Sequence, residues 1–200
     1  MAIAAVLIAY LIGSVSFAVV VSRAMKLPDP RTYGSNNPGA TNVLRTGRKA
    51  AAALTLIGDC AKGWFAVYLV ARFFTTDAQR ELEISLAAMA VVIGHMYPVF
   101  HRFQGGKGVA TALGVLLGLN LWIGLGAAAT WAIIALFLRI SSLSALVAAV
   151  SAPVFSVMLY GAHPYTLATA VIALLLLWRH KKNIKNLLAG TEPRIGAKRA

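Results

Sequence analysis

The stretch Val109–Leu138, VATALGVLLGLNLWIGLGAAATWAIIALFL, decides how often this chain crosses a membrane. It is 30 residues of nearly unbroken apolar sequence. That is too long for one upright span of about 20 residues and short for two. Asn120 stands near its centre, with Gly114, Gly118, Gly124 and Gly126 on either side. We read a tight turn at Asn120 between two short spans, 109–119 and 121–138; one long tilted helix is the alternative.

Working outward, 139–142 is a brief polar break and 143–160 a further span. The segment Gly161-Ala162-His163-Pro164 is a turn, 165–178 a last span, and 179–200 a basic tail. Upstream, apolar runs at about 2–21, 50–71 and 84–100 are separated by polar loops at 22–49 and 72–83, and 101–108 precedes the opening stretch. The expectation is an all-α integral membrane protein of seven transmembrane helices, one polytopic domain over residues 1–200. No repeat or linker marks a second domain. The first run is long enough to span and lacks a positive leading region, so a separate cleavable signal is not expected.

Composition agrees. The chain is 59% hydrophobic and 12% charged, with a mean hydropathy of +0.74, against roughly 25% charged residues in soluble globular domains. Cys60 is the single cysteine, so no intramolecular disulfide forms. A net charge of +13 would suggest nucleic acid in a soluble domain. Here the cations sit in loops and a tail, where membrane orientation and anionic ligands account for them, and no nucleic-acid partner is expected. With the N-terminus outside, the segments 22–49, 101–108, 139–142 and 179–200 face inward and hold 16 of the 19 Lys and Arg residues. That satisfies the positive-inside rule and puts the C-terminus in the cytoplasm.

The polar motifs fall in those same segments. Gly34–Arg45, GSNNPGATNVLR, holds three Asn, one Ser, one Thr and one Arg, plus two Gly that let a ligand approach the main chain. Its bland counterpart is a flexible connection with Arg45 as a topology charge. Gly105-Gly106-Lys107-Gly108 is a glycine turn opening a helix, where unpaired N–H groups and the Lys107 charge suit phosphate. It is not a Walker A loop, because Val109 stands where a hydroxyl is needed. His180 and Asn183 share a helix face at i,i+3, as candidates for proton transfer and hydrogen bonding or as part of a solvated juxtamembrane helix. Ser141 and Ser142 are weaker, since Ser often caps a helix start. Asp59 and Lys62, also i,i+3, read as a structural ion pair inside a span, with a catalytic pair as the alternative. His95 is either packed or functional, and His101 and His163 are interfacial. No His, Cys and carboxylate spacing suggests a metal, and no cofactor is implied. Such one-sided chemistry argues against a channel or carrier and for a site taking a soluble substrate and a bilayer component.

These motifs together resemble the bacterial acyl-phosphate:glycerol-3-phosphate acyltransferases of the PlsY type. The matching blocks are GSNNPGATNVLR, GHMYPVFHRFQGGKGVAT at Gly94–Thr111, and RHKKNI at Arg179–Ile184. GSVSFA at Gly13–Ala18, LPDPR at Leu27–Arg31, Asp59–Gly63 and Ser141–Leu143 extend the likeness nearly end to end. The resemblance implies seven spans in the bacterial cytoplasmic (inner) membrane, with the site at the cytoplasmic face. It implies acyl transfer from acyl phosphate to the 1-hydroxyl of sn-glycerol 3-phosphate, giving lysophosphatidic acid and phosphate, the first step of phospholipid synthesis. By motif it implies Ser35, Arg45, Lys107, Ser142, His180 and Asn183 as catalytic residues. Asn37, Arg45, Gly105, Gly106, Lys107 and Gly108 become phosphate or substrate contacts. Partners are the two substrates and membrane lipid, around a monomer. Two positions depart from the pattern: Asn36 replaces a usual Gly, and Ser16 stands where Pro is common. No His-x4-Asp pair occurs, so a mechanism built on that pair is excluded. The proton acceptor is His180 or the departing phosphate. An organic-phosphate transporter is the rival function, and a lipid-binding scaffold a third.

Overall fold

A computed structural model of the chain describes residues 2–76 and 78–196, and their regular structure is all helical, with no strand among them. The α-helices are α1 Ala2–Ser14, α2 Phe17–Ala24, α3 Ala40–Val43, α4 Lys49–Phe73, α5 Arg80–Met96, α6 Val109–Leu119, α7 Leu121–Leu138, α8 Ser141–Tyr160, α9 Pro164–Arg179 and α10 Lys181–Leu188. Among the described residues, five stretches are long and apolar enough to cross a membrane: Ala2–Ala24, Lys49–Phe73, Arg80–His101, Leu121–Leu138 and Ser141–Tyr160. The apolar helices α6 and α9 are shorter, at 11 and 16 residues.

The 30-residue run breaks at Asn120 because that residue can satisfy the break by itself. Its backbone is extended, its Oδ1 accepts from the N–H groups of Trp122 and Ile123 at 2.8 and 3.4 Å, and its Nδ2 donates to Tyr160 Oη at 2.8 Å. This is an N-cap placed in apolar sequence, and it leaves the amide no unmet group.

Helix α1 runs along α5, α4 along α6, α7 along α8, and α8 along α9. The core is made of small apolar residues such as Ala87, Val91, Val92, Val67 and Val115. Large apolar side chains lie outside instead: Trp122 is 71% exposed, Phe137 76% and Met158 77%. A soluble fold hides such residues, and a bilayer solvates them. Close approach is clearest between α4 and α6, where a Cβ on Gly114 would collide with the Cys60 carbonyl. Small residues at such crossings are how helices pack in lipid.

Three details differ from the sequence expectation. The first apolar run is one candidate span but two helices, broken at Val15–Ser16. The carbonyl of Val15, freed by the break, accepts a 2.6 Å hydrogen bond from Lys62 Nζ. Ser14 Oγ donates to Tyr10 O and accepts from Val99 N. The third apolar run begins earlier than Ile84: α5 starts at Arg80, and Glu83 is buried with Oε2 accepting from Thr76 N at 3.0 Å. Carboxylates in a first helical turn are favoured by the positive end of the helix, which extends α5 into the loop. Finally, the tail is structured. It forms α10, then returns along the bundle so that Ile195 N donates to Arg139 O at 2.6 Å. Tail residues 197–200 lie outside the described residues.

Candidate active site

The first polar block is built around Asn42, which is 3% exposed. Its Nδ2 donates to Pro30 O and Tyr33 O at 2.7 and 3.1 Å, and its Oδ1 accepts from Ser35 N at 3.0 Å and Arg45 Nη1 at 3.4 Å. One amide thereby ties the LPDPR turn, Ser35 and Arg45 together. Upstream, Arg31 and Asp29 form a bidentate pair that holds the Asp29 carboxyl below its usual range, through the hydrogen bonds first. Gly34 and Asn36 are left-handed, with φ of 62° and 56°. Asn enters this region more readily than most L-residues, so the left-handed turn forms at Asn36 without a glycine. Ser35 and Arg45 are exposed, and Asn37 is half-buried beside Gly39.

The second block folds under the first. Gly105 and Gly106 are buried, and Gly106 N donates to His95 O at 3.1 Å. A Cβ at Gly106 would strike His95 Nε2 and come within 2.8 Å of Pro38 O, so only glycine lets the two blocks close on each other. Arg179 fastens the loop from the third block. Its Nη2 donates to Gly105 O at 2.9 Å and Gly106 O at 3.0 Å, Nε donates to Gly106 O at 3.1 Å, and its guanidinium lies 5.2 Å above the Tyr97 ring. Gly108, with φ of 87°, caps the start of α6. Lys107 thus projects from a loop anchored on both sides.

Lys107 Nζ donates to Asn183 Oδ1 at 2.6 Å. Asn183 Nδ2 in turn donates to Glu192 Oε1, which also accepts from Ser142 Oγ at 2.6 Å, while Asn186 Nδ2 reaches Oε2 at 3.2 Å. Ser142 is buried at the start of α8, inside this network. Ser141 faces the first block instead, its Oγ 3.3 Å from Thr41 Oγ1. Burial lowers the Lys107 pKa to about 8, with Arg45, Arg179 and Lys182 adding repulsion and Glu192 opposing them. Arg45 is therefore within electrostatic reach of Lys107.

His180 ends α9 and is 2% exposed. Its Nδ1 lies 2.8 Å from Leu176 O. A carbonyl only accepts, so Nδ1 carries the hydrogen and Nε2 of the neutral ring presents a lone pair. Burial, then the Lys107 charge, pushes the ring's pKa down to about 4, so it is neutral at physiological pH. Next to Asn183, Ile184 opens an apolar groove of about 480 Å³ that runs between α8 and α9 along Leu146, Val150, Val154 and Leu177.

Lys107, Ser142, His180 and Asn183 therefore meet, with the first block closing over them through Pro38 and Thr41. Sequence reasoning missed Glu192, Arg179 and Asn42 as organisers. Asn42 and Arg179 lay inside the quoted blocks. Glu192 is an isolated acid in a tail of seven cations, a signal that was available in the charge pattern.

Comparison with known proteins identifies the family. Residues 3–190 match the family model described as glycerol-3-phosphate acyltransferase. The glycerol-3-phosphate acyltransferase of Burkholderia pseudomallei (strain 1710b) is 63% identical over 193 residues, covering 96% of this chain and 94% of that protein. That of Ralstonia nicotianae (strain ATCC BAA-1114 / GMI1000) is 61% identical over 191 residues, covering 96% and 92%. The crystal structure of PlsY (YgiH), an integral membrane glycerol 3-phosphate acyltransferase, in its glycerol 3-phosphate form superimposes with a TM-score of 0.90 at 36% identity, covering 98% of this chain and 96% of that one. Its lysophosphatidic acid form gives a TM-score of 0.87 at 36% identity, covering 98% and 95%. With residues 3–190 of its 200 matched by the family model, this chain is an integral membrane protein that belongs to the glycerol-3-phosphate acyltransferase family.

Proposed function

We propose that this protein moves a fatty acyl group from acyl phosphate to the 1-hydroxyl of sn-glycerol 3-phosphate, releasing lysophosphatidic acid and phosphate. The observation that carries this reading is the meeting of a half-buried Lys107 with Asn183 and Ser142 in one hydrogen-bonded network, with the buried His180 within reach of the Lys107 charge. Such a cluster suits phosphate chemistry, and the two similar PlsY structures are described as glycerol 3-phosphate and lysophosphatidic acid forms.

Arg45 and Lys107 hold the substrate phosphates and stabilise charge passing to the leaving group. Backbone N–H groups of Gly105 and Gly108 and the amide of Asn37 complete the phosphate contacts; the Gly106 N–H, expected from the motif to join them, is taken by the His95 carbonyl, so Gly106 shapes the loop instead. Ser35, Ser142 and Asn183 orient the acceptor. His180 Nε2 accepts a hydrogen bond from the attacking hydroxyl. Because its conjugate acid forms only near pH 4, it is a weak base, and the proton ends on the phosphate. The C–O bond to phosphate breaks as the ester forms, and the hydroxyl proton leaves as part of hydrogen phosphate. No cofactor enters this balance.

We place the site at the cytoplasmic face of the bacterial inner membrane, in a monomer of seven spans with the N-terminus outside. Support comes from the 16 of 19 Lys and Arg residues in the segments that form the site. The test is phosphate release from palmitoyl phosphate by the purified chain. Release that depends on glycerol 3-phosphate, with lysophosphatidic acid appearing in step, is the expected result. Absence of that product with fresh acyl phosphate overturns the reading, and counterflow of labelled glycerol 3-phosphate in proteoliposomes without donor would replace it with transport.

A further inference from the structure

One buried cluster of ionisable side chains takes no part in the chemistry above. Asp59 and Lys62 of α4, His95 of α5 and Thr111 of α6 meet where the three helices touch. An ammonium has three N–H donors and no acceptor. Lys62 directs two of them to Val15 O at 2.6 Å and His95 Nδ1 at 2.9 Å, and forms an ion pair with Asp59 Oδ1 at 2.8 Å. Since Lys62 can only donate, His95 Nδ1 accepts, and the ring hydrogen sits on Nε2. Thr111 Oγ1 lies 3.1 Å from the same Nδ1. The ring is therefore fixed in rotation and in tautomer from below.

Its other edge faces the site. His95 Nε2 is the atom that a side chain on Gly106 would strike, and the His95 carbonyl takes the Gly106 N–H. The glycine loop thus lies on His95, while Arg179 grips the Gly105 and Gly106 carbonyls. A purely structural ion pair between α4 and its neighbours would need neither the ring contact nor the Thr111 hydroxyl.

We propose that Asp59, Lys62, His95 and Thr111 form a positioning platform that sets the height of the glycine loop and hence where Lys107 stands against substrate phosphate. The inference rests on the reading of Lys107 as a phosphate contact. It makes these four positioning residues, acting through Lys107 and not on substrate.

The test uses the purified full chain with Thr111→Val, with His95→Asn beside His95→Ala, and with Asp59→Asn combined with Lys62→Met so that neither charge is left alone. Each is made with and without Lys107→Ala. KM for glycerol 3-phosphate is expected to rise about threefold for Thr111→Val and about tenfold or more for the charge-free pair, with kcat changed far less. His95→Asn, which keeps an acceptor near the Nδ1 place, is expected to fall between wild type and His95→Ala. Without the Lys107 side chain the same substitutions are expected to change KM by less than about twofold, since coupled residues are not additive. Unchanged KM in folded variants, or equal effects with and without Lys107, overturns the proposal and leaves a helix-packing role. Should the charge-free pair fail to fold, Thr111→Val and His95→Asn decide the matter, as neither removes a buried charge. Titration of inorganic phosphate by calorimetry reads the loop without turnover. Weaker binding in the variants supports the platform even if acyl transfer fails, and equal binding overturns it even if acyl transfer holds.

Discussion

The two ends of the helix bundle solve the same problem in opposite ways. Away from the site, Asn120 and His163 each cap the helix that follows with their own side chains, and Tyr160, His163 and Tyr165 stack beside them. Glu83 takes the Thr76 N–H in the same spirit. The helix-starting N–H groups of α7 and α9 and the Thr76 N–H are answered there within a few residues. At the site end, partners come from far away in sequence: Lys107 finds Asn183, Ser142 finds Glu192, and Arg179 finds Gly105 and Gly106. Local capping ends a helix cheaply in chain length, whereas long-range bonding of loops holds charged groups at fixed places. Substitutions at one end should therefore alter stability, and at the other, kinetics.

The most severe trial is removal of the site's cations. Lys107→Ala and Arg45→Ala are each expected to cut turnover by at least about tenfold, since a lost charged contact is worth ~1.5–3 kcal/mol. Steady-state kinetics at matched unfolding temperature check this, and near-normal values in both would dissolve the contrast between the ends. Next comes Glu192→Ala, which frees Ser142 and Asn183 together; a fall of roughly threefold to tenfold in kcat/KM is expected, consistent with the loss of one shared acceptor. Acidity gives a finer probe. Lys107 has a folded pKa of about 8, below its usual value, so its charge is present at neutral pH and lost as pH rises through 8. The kcat/KM for glycerol 3-phosphate should decline above that pH in a free-enzyme profile. Glu192→Gln should move the decline to lower pH, because the carboxylate supports the ammonium, and Lys107→Arg should move it out of range. The smallest effect is expected at the other end. Asn120→Ala should lower stability by about 1 kcal/mol, the worth of an N-cap, with KM unchanged. A kinetic defect there would show that the ends are coupled.

The same division explains what the sequence made legible. Asn120 announced itself because one amide in 30 apolar residues has few explanations, and the cap that it forms is local. The glycine loop and the i,i+3 pair His180 and Asn183 were visible as spacing. The break at Val15–Ser16 was not, because the group that answers its freed carbonyl is Lys62, 47 residues away on another helix. Glu192 stood out as the lone acid of the tail, but its partners did not: they come from α8 and α10, and periodicity carries no information about where a tail returns. The choice between Ser141 and Ser142 was likewise beyond sequence, since adjacent residues on a helix point about 100° apart and only the neighbours distinguish them.

The returning tail also has a meaning in time. Ribosomes make the chain from its first block to its last, and helices up to α8 can enter the bilayer while the third block is still unmade. Until Asn183, Glu192 and the Ile195–Arg139 hydrogen bond exist, Lys107 lacks its partner and Ser142 lacks its acceptor. A nascent or prematurely terminated chain is thus a membrane protein without an assembled site, and synthesis of the last residues acts as the moment at which lipid chemistry can begin.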